Sequence, residues 1–74
     1  MKKYEFVVKW FKTHPGVRYS NSEIEQHLRE DYKKQFGKDF RDPLRAARTA
    51  HQNGIVHRSP RGPNQFYVYQ PEEL

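Results

Sequence analysis

The chain has 74 residues, no cysteine and a formal net charge of +5 at pH 7. A domain of this length buries only about 60 % of its unfolded surface, which leaves little room for a deep active site; the absence of cysteine excludes a disulfide framework and thiolate zinc sites. No apolar run is long enough to cross a bilayer and no charged-then-apolar leader opens the chain, so the expectation is a cytoplasmic protein without a membrane partner.

Tyr4, Val7, Val8 and Phe11 recur at helical spacing and predict a first helix from Lys2 to about His14, ended by Pro15-Gly16. Phe6 and Trp10 stand four residues apart beside that stripe, and a domain this small needs both in its core. Val17-Arg18-Tyr19 reads as a short extended piece. Ser20-Asn21-Ser22-Glu23 has the S-x-x-E form of a capping box, in which the serine oxygen accepts from an orphan backbone N–H and the glutamate reaches back. Tyr19 and Ile24 occupy the N′ and N4 positions of a hydrophobic staple. The second helix offers Ile24, Leu28, Tyr32 and Phe36 as its buried stripe and stops at Gly37.

Lys38 to Arg41 connects to a third helix over 42–53, with Asp42 as N-cap, Pro43 at N1 and Asn53-Gly54 closing it. Within LRAARTAHQNG, Arg45, Arg48, Thr49 and Gln52 fall at i, i+3, i+4 and i+7 and make one polar face. Leu44, Ala47, Ala50 and His51 lie on the other side, mostly small groups that let the helix sit close to a body; His51 is expected to place an imidazole nitrogen on a backbone carbonyl. Ile55 to Ser59 and Gln65 to Gln70 predict two strands, joined through a type I turn at Ser59-Pro60-Arg61-Gly62. Tyr67 and Tyr69 share one face of the last strand and Phe66 and Val68 the other, and alternation alone leaves open which pair faces inward. The domain is read as 1–70, with 71–74 a tail or the start of a linker.

The charge is unevenly distributed. Residues 41–70 carry five arginines, one aspartate and no lysine, net +4, whereas residues 1–40 interleave nine basic with six acidic residues. A guanidinium pairs bidentately with phosphate or guanine, which an ammonium does not do. The arginine-rich half therefore suits a planar anionic partner, and the first half an ordinary solvated surface.

Three helices followed by a β-hairpin, and in particular the run LRAARTAHQNGIVHRSPRGPNQFYVY, resemble the winged helix-turn-helix. Ala47, Ala50, Gly54 and Ile55 match the pattern that closes its recognition helix, with alanine where leucine is usual. The fold expectation is thus α+β, a three-helix core with a C-terminal β-hairpin wing over 58–63. DPLRAARTAHQNGIV, a short wing and an aromatic strand are also similar to the small winged-helix domains attached to bacterial restriction endonucleases, including methyladenine-dependent enzymes of the Dpn type. The resemblance turns Tyr67 and Tyr69 inward. It also implies double-stranded DNA as partner, a bacterial or phage-encoded, nucleoid-associated protein, and an attached nuclease or regulatory domain.

On that reading Arg45 and Arg48 meet guanine, Gln52 adenine and the Thr49 methyl a thymine methyl in the major groove. Arg58 and Arg61 of the wing, Arg41, and the helix start at Ser20 and Ser22 meet the backbone or minor groove. Adenine methylated at N6 keeps one N–H for Gln52 or Asn53, which opens a reading of modified DNA. The competing expectation is a winged helix that binds proteins through an exposed patch around Phe6, Trp10 or Phe40. His14, His27, His51 and His57 are scattered without metal-ligand spacing, and the acidic residues of the second helix, Glu23, Glu25, Glu30 and Asp31, pair with nearby lysine and arginine as ordinary surface charge. The sequence thus offers no catalytic residue, metal or cofactor.

Overall fold

Helix α1 spans Lys3–Lys12 and buries Phe6, Val7, Trp10 and Phe11 in the computed structural model, which describes residues 2–60, 62 and 65–70. The buried face is wider than the stripe expected from Tyr4, Val7, Val8 and Phe11: Tyr4 and Val8 are half-buried at its margin. The two aromatics beside the stripe extend it because α1 meets both other helices. The Phe6 ring packs edge-on to Tyr32 at 5.2 Å and lies 6.4 Å from Phe40, joining α1 to α2 and to the α2–α3 connection.

Strand β1 (Tyr19–Ser20) leads directly into α2 (Asn21–Phe36). The capping box is formed, with Glu23 N–H donating to Ser20 Oγ at 3.2 Å and Ser20 N–H donating to Glu23 Oε1 at 3.0 Å. Tyr19 and Ile24, the staple pair, are both buried in the core. Ile24, Leu28 and Tyr32 form the buried face of α2, Phe36 packs half-buried against it, and Gly37 ends the helix in a left-handed conformation at φ 68°.

The Ser20 N–H first, then the Ser20 hydroxyl, hold the Glu23 carboxyl below the usual carboxylate range, with a smaller pull from His27. A depressed folded pKa means the stabilisation is present above the ordinary value of 4.5 and is lost as pH falls through the folded one. Thermal melts between pH 6 and pH 3 should therefore fall more steeply for the wild type than for Glu23→Gln. Parallel curves would show that the box has no charge component.

Helix α3 (Pro43–Gln52) begins at Asp42, whose side chain accepts from Arg45 N–H at 3.3 Å, with Pro43 in the first turn. Its end is a Schellman closure: Gly54 at φ 76°, its N–H on the His51 carbonyl at 3.0 Å, and Ile55 N–H on the Ala50 carbonyl at 2.9 Å. Ile55 is tied into this closure and Val56 is buried in the core, so the strand expected over 55–59 is reduced to β2 (His57–Arg58). Ala47 and Ala50 have no exposed surface and let α3 pack closely on α1 and α2. Ala47→Leu should overpack this contact and destabilise the domain by about 1–3 kcal/mol in urea unfolding.

Strand β3 (Phe66–Val68) is likewise shorter than the expected 65–70 and lies at the centre of an antiparallel sheet ordered β1-β3-β2. Tyr67 faces both Tyr19 and Arg58 across the sheet, and Val68 faces His57. Phe66 N–H donates to Ser59 Oγ at 2.9 Å and Ser59 N–H to the Phe66 carbonyl at 3.0 Å, closing the β2–β3 end. Part of the turn expected at 59–62, together with residues 71–74, lies outside the described residues. Both tyrosines pack on the core as expected, and it is the outer assignment of Val68 that needs correction. Tyr67 is 3 % exposed and Tyr69 half-buried, while Val68, expected on the outer face, is 1 % exposed. A strand paired on both sides has flanking neighbours over each face, so parity does not divide its burial.

The observed architecture is three helices and a three-stranded antiparallel sheet in the order helix, strand, helix, helix, strand, strand. Among the described residues no helix is long and apolar enough to cross a membrane.

Candidate nucleic-acid interface

Helix α3 buries Pro43, Ala47 and Ala50, so its opposite side turns away from the body. Arg45, Arg48 and Gln52 are exposed there and Thr49 is half-buried, its hydroxyl donating to the Arg45 carbonyl at 3.0 Å. The inward flank is equally defined. Leu44 is half-buried, and His51 sets Nδ1 3.3 Å from the Val56 carbonyl, as its spacing led us to expect. Asn53, the neighbouring amide, donates from Nδ2 to the Tyr4 hydroxyl at 2.8 Å. Among the described residues Gln52 has no such side-chain partner and is exposed.

The polar face does not stand alone. Leu44, Arg48 and Gln52 of α3 line a depression of about 310 Å³ with Arg58 of β2, Tyr67 of the central strand and Gln65 just before it, and Asn21 at the start of α2. Among the described residues this lining holds two guanidiniums, three carboxamides and no carboxylate. Three other depressions on the molecule each include acidic groups: Asp31; Glu30 and Asp39; Glu25 and Glu30. Arg58 arrives because β2 pairs with β3 in a register that sets it beside Tyr67, and Arg48 because it occupies the flank of α3 nearest the sheet. None of Asn21, Gln65 and Tyr67 was expected at this site from the sequence. Their only signal was adjacency to the capping serine and to the aromatic strand.

Three expected contributors lie elsewhere or are otherwise engaged. Arg41 lines a different depression with Arg29, Glu30, Lys33, Asp39 and Phe40, because the α2–α3 connection turns it away from the sheet. Arg29, bridged to Glu25 at 2.8 Å, donates to the Phe40 and Arg41 carbonyls at 3.2 and 3.1 Å and holds that connection in place. Ser20 uses its hydroxyl and N–H within the capping box, and Ser22, though exposed, belongs to a depression with Glu25 and Glu30. At this helix start Asn21 is the residue that joins the arginines. Arg61 lies outside the described residues.

Two neighbours complete the surroundings. The Arg18 guanidinium sits over the Phe66 ring at 4.9 Å, a cation–π contact beside the hairpin. The Tyr19 phenol, behind the α2 start, is pushed up first by burial and then by the charges of Glu23 and Asp31. Among the described residues no group of three or more histidines and carboxylates is placed to hold a metal ion. Compared with family models, with curated proteins and with solved structures, the chain has no match.

Proposed function

We propose that the protein is a winged helix-turn-helix module that binds double-stranded DNA, with α3 in the major groove and the β2–β3 hairpin on the flanking backbone. One observation carries the reading: Arg48 and Arg58, from separate elements, share a carboxylate-free depression with three carboxamides. Guanidiniums and amide N–H groups are the donors that phosphate oxygens and base edges accept. Gln52 is one of those carboxamides and Arg45 is exposed on the same helix face; Arg45 suits guanine O6 and N7 and Gln52 suits adenine N6 and N7. The module has no catalytic part in this reading and works within a restriction or regulatory protein of a bacterium or phage, in the cytoplasm at the nucleoid.

An interaction-only winged helix would present an aromatic patch at Phe6, Trp10 or Phe40. These are 5, 6 and 3 % exposed, which favours the DNA reading.

Anisotropy titrations of a labelled duplex across a salt series test it. About four to six neutralised phosphates give a slope of log K against log[salt] near −4 to −5. A flat response rejects the proposal. The finer reading, preference for N6-methyladenine, rests on the open Gln52 amide, which takes the remaining N–H while the Thr49 methyl meets the added one. Equal affinities for matched methylated and unmethylated GATC duplexes reject that finer reading alone.

A further inference from the structure

The depression between α3 and the hairpin contains a buried side chain whose polar end is unused by the fold. Tyr67 is 3 % exposed and its ring lies 6.4 Å from Phe11 in the core, yet it lines the depression together with Arg48 and Arg58. Among the described residues its hydroxyl has no hydrogen-bond partner, and no fully buried side-chain oxygen is left without one. The little surface that Tyr67 keeps therefore includes the hydroxyl. Tyr67 and Arg58 are directly opposed across β3 and β2, and opposed residues project to the same face. Arg58 is half-buried, again without a hydrogen bond or ion pair among the described residues. A guanidinium taken part-way out of water is costly to leave unpaired. Arg48 reaches the same space from α3, and no carboxylate among the described lining residues supplies negative charge.

We infer that this depression seats a single phosphate group, with the Arg48 and Arg58 guanidiniums on its oxygens and the Tyr67 hydroxyl donating a third contact from the base. The inference rests on the DNA reading, under which the group is one phosphate of the duplex backbone. Donors converging from α3, β2 and β3 suit a tetrahedral oxyanion, which presents oxygens in several directions. A planar carboxylate is already filled by one bidentate guanidinium. A phosphate also projects from the duplex and can enter a recess, whereas a stacked base keeps its edge within the groove. Arg48 and Tyr67 thereby set affinity, and base reading is left to Arg45 and Gln52.

Anisotropy titrations compare the wild type with Tyr67→Phe on the GATC duplex and on duplexes of unrelated sequence. The variant removes only the hydroxyl and leaves no group unpaired, so the melting temperature should not change. Binding about tenfold weaker is expected on every duplex, the scale of one hydrogen bond to a charged acceptor. The salt slope should stay as it was, because no charge is lost. Combined with Arg48→Ala the losses should fall short of multiplying; combined with Arg45→Ala, outside the depression, they should multiply. Wild-type affinity in Tyr67→Phe, or a loss confined to one sequence, would overturn the inference and leave the DNA reading standing. A second arm follows the Nε–H resonances of Arg48 and Arg58 as inorganic phosphate or acetate is added at matched ionic strength. Phosphate should shift both, less so in Tyr67→Phe, and acetate neither; equal shifts from the two anions would overturn the inference. Should the wild type bind no duplex, the DNA reading falls and this arm decides alone. Phosphate shifts would then assign the site to a free phosphoryl ligand, and their absence would overturn it.

Discussion

Arg48→Ala with Arg58→Ala is expected to weaken duplex binding by roughly two to four orders of magnitude, from about 1.5–3 kcal/mol for each charge-assisted contact removed. The salt slope should become shallower by about 2. The two residues reach one depression from α3 and from β2, so a strand held there meets both and loses both. Among the described residues neither side chain has a hydrogen bond or ion pair to the rest of the fold, and the melting temperature should hardly move. Arg41→Ala is the control for each single variant: it removes one guanidinium from a depression that also contains Glu30 and Asp39 and should change affinity by no more than about twofold, the scale of one screened surface charge. An equal loss from Arg41→Ala and from either single variant would show attraction by net charge without a defined interface. No loss from the double variant would remove the interface altogether.

Phe11→Ala should have the largest effect on stability, about 3–5 kcal/mol in urea denaturation followed by circular dichroism. Phe11 is 1 % exposed, and its ring lies 5.4 Å from Trp10 and 6.4 Å from Tyr67, so it joins α1 to the central strand. At roughly 0.05–0.15 kcal/mol per residue, a chain of 74 residues has little reserve against such a cavity. Near the midpoint each kcal/mol corresponds to about 4–8 °C, so a fall in melting temperature of at least about 12 °C is expected. Val8→Ala, half-buried at the margin of the same helix, should lose well under half as much. Similar losses from the two would mean that the core is not centred where Phe11 places it.

Much of the fold was legible because its signals are local. Ser20 and Glu23 satisfy each other across three residues, Asp42 caps the turn it opens, and Gly54 permits the Schellman closure only a few residues from the helix it ends. The outward polar face of α3 was equally readable, because alanine at 47 and 50 leaves just one side able to approach the body. Strand lengths were less so. Ile55 and Val56 have strand-like side chains, yet Schellman closure and core burial claim them first.

The amino-acid order alone therefore determined where each helix starts and stops and which side of α3 is polar, since these follow from interactions within about one helical turn. Only the packed structure decided that Arg48 and Arg58 share a depression with Asn21, Gln65 and Tyr67, that Arg41 faces another, and that Val68 is covered as fully as Tyr67. Those neighbours come from helix packing and from the β1-β3-β2 register. Both join segments tens of residues apart, and no short-range spacing encodes which side chains will meet there.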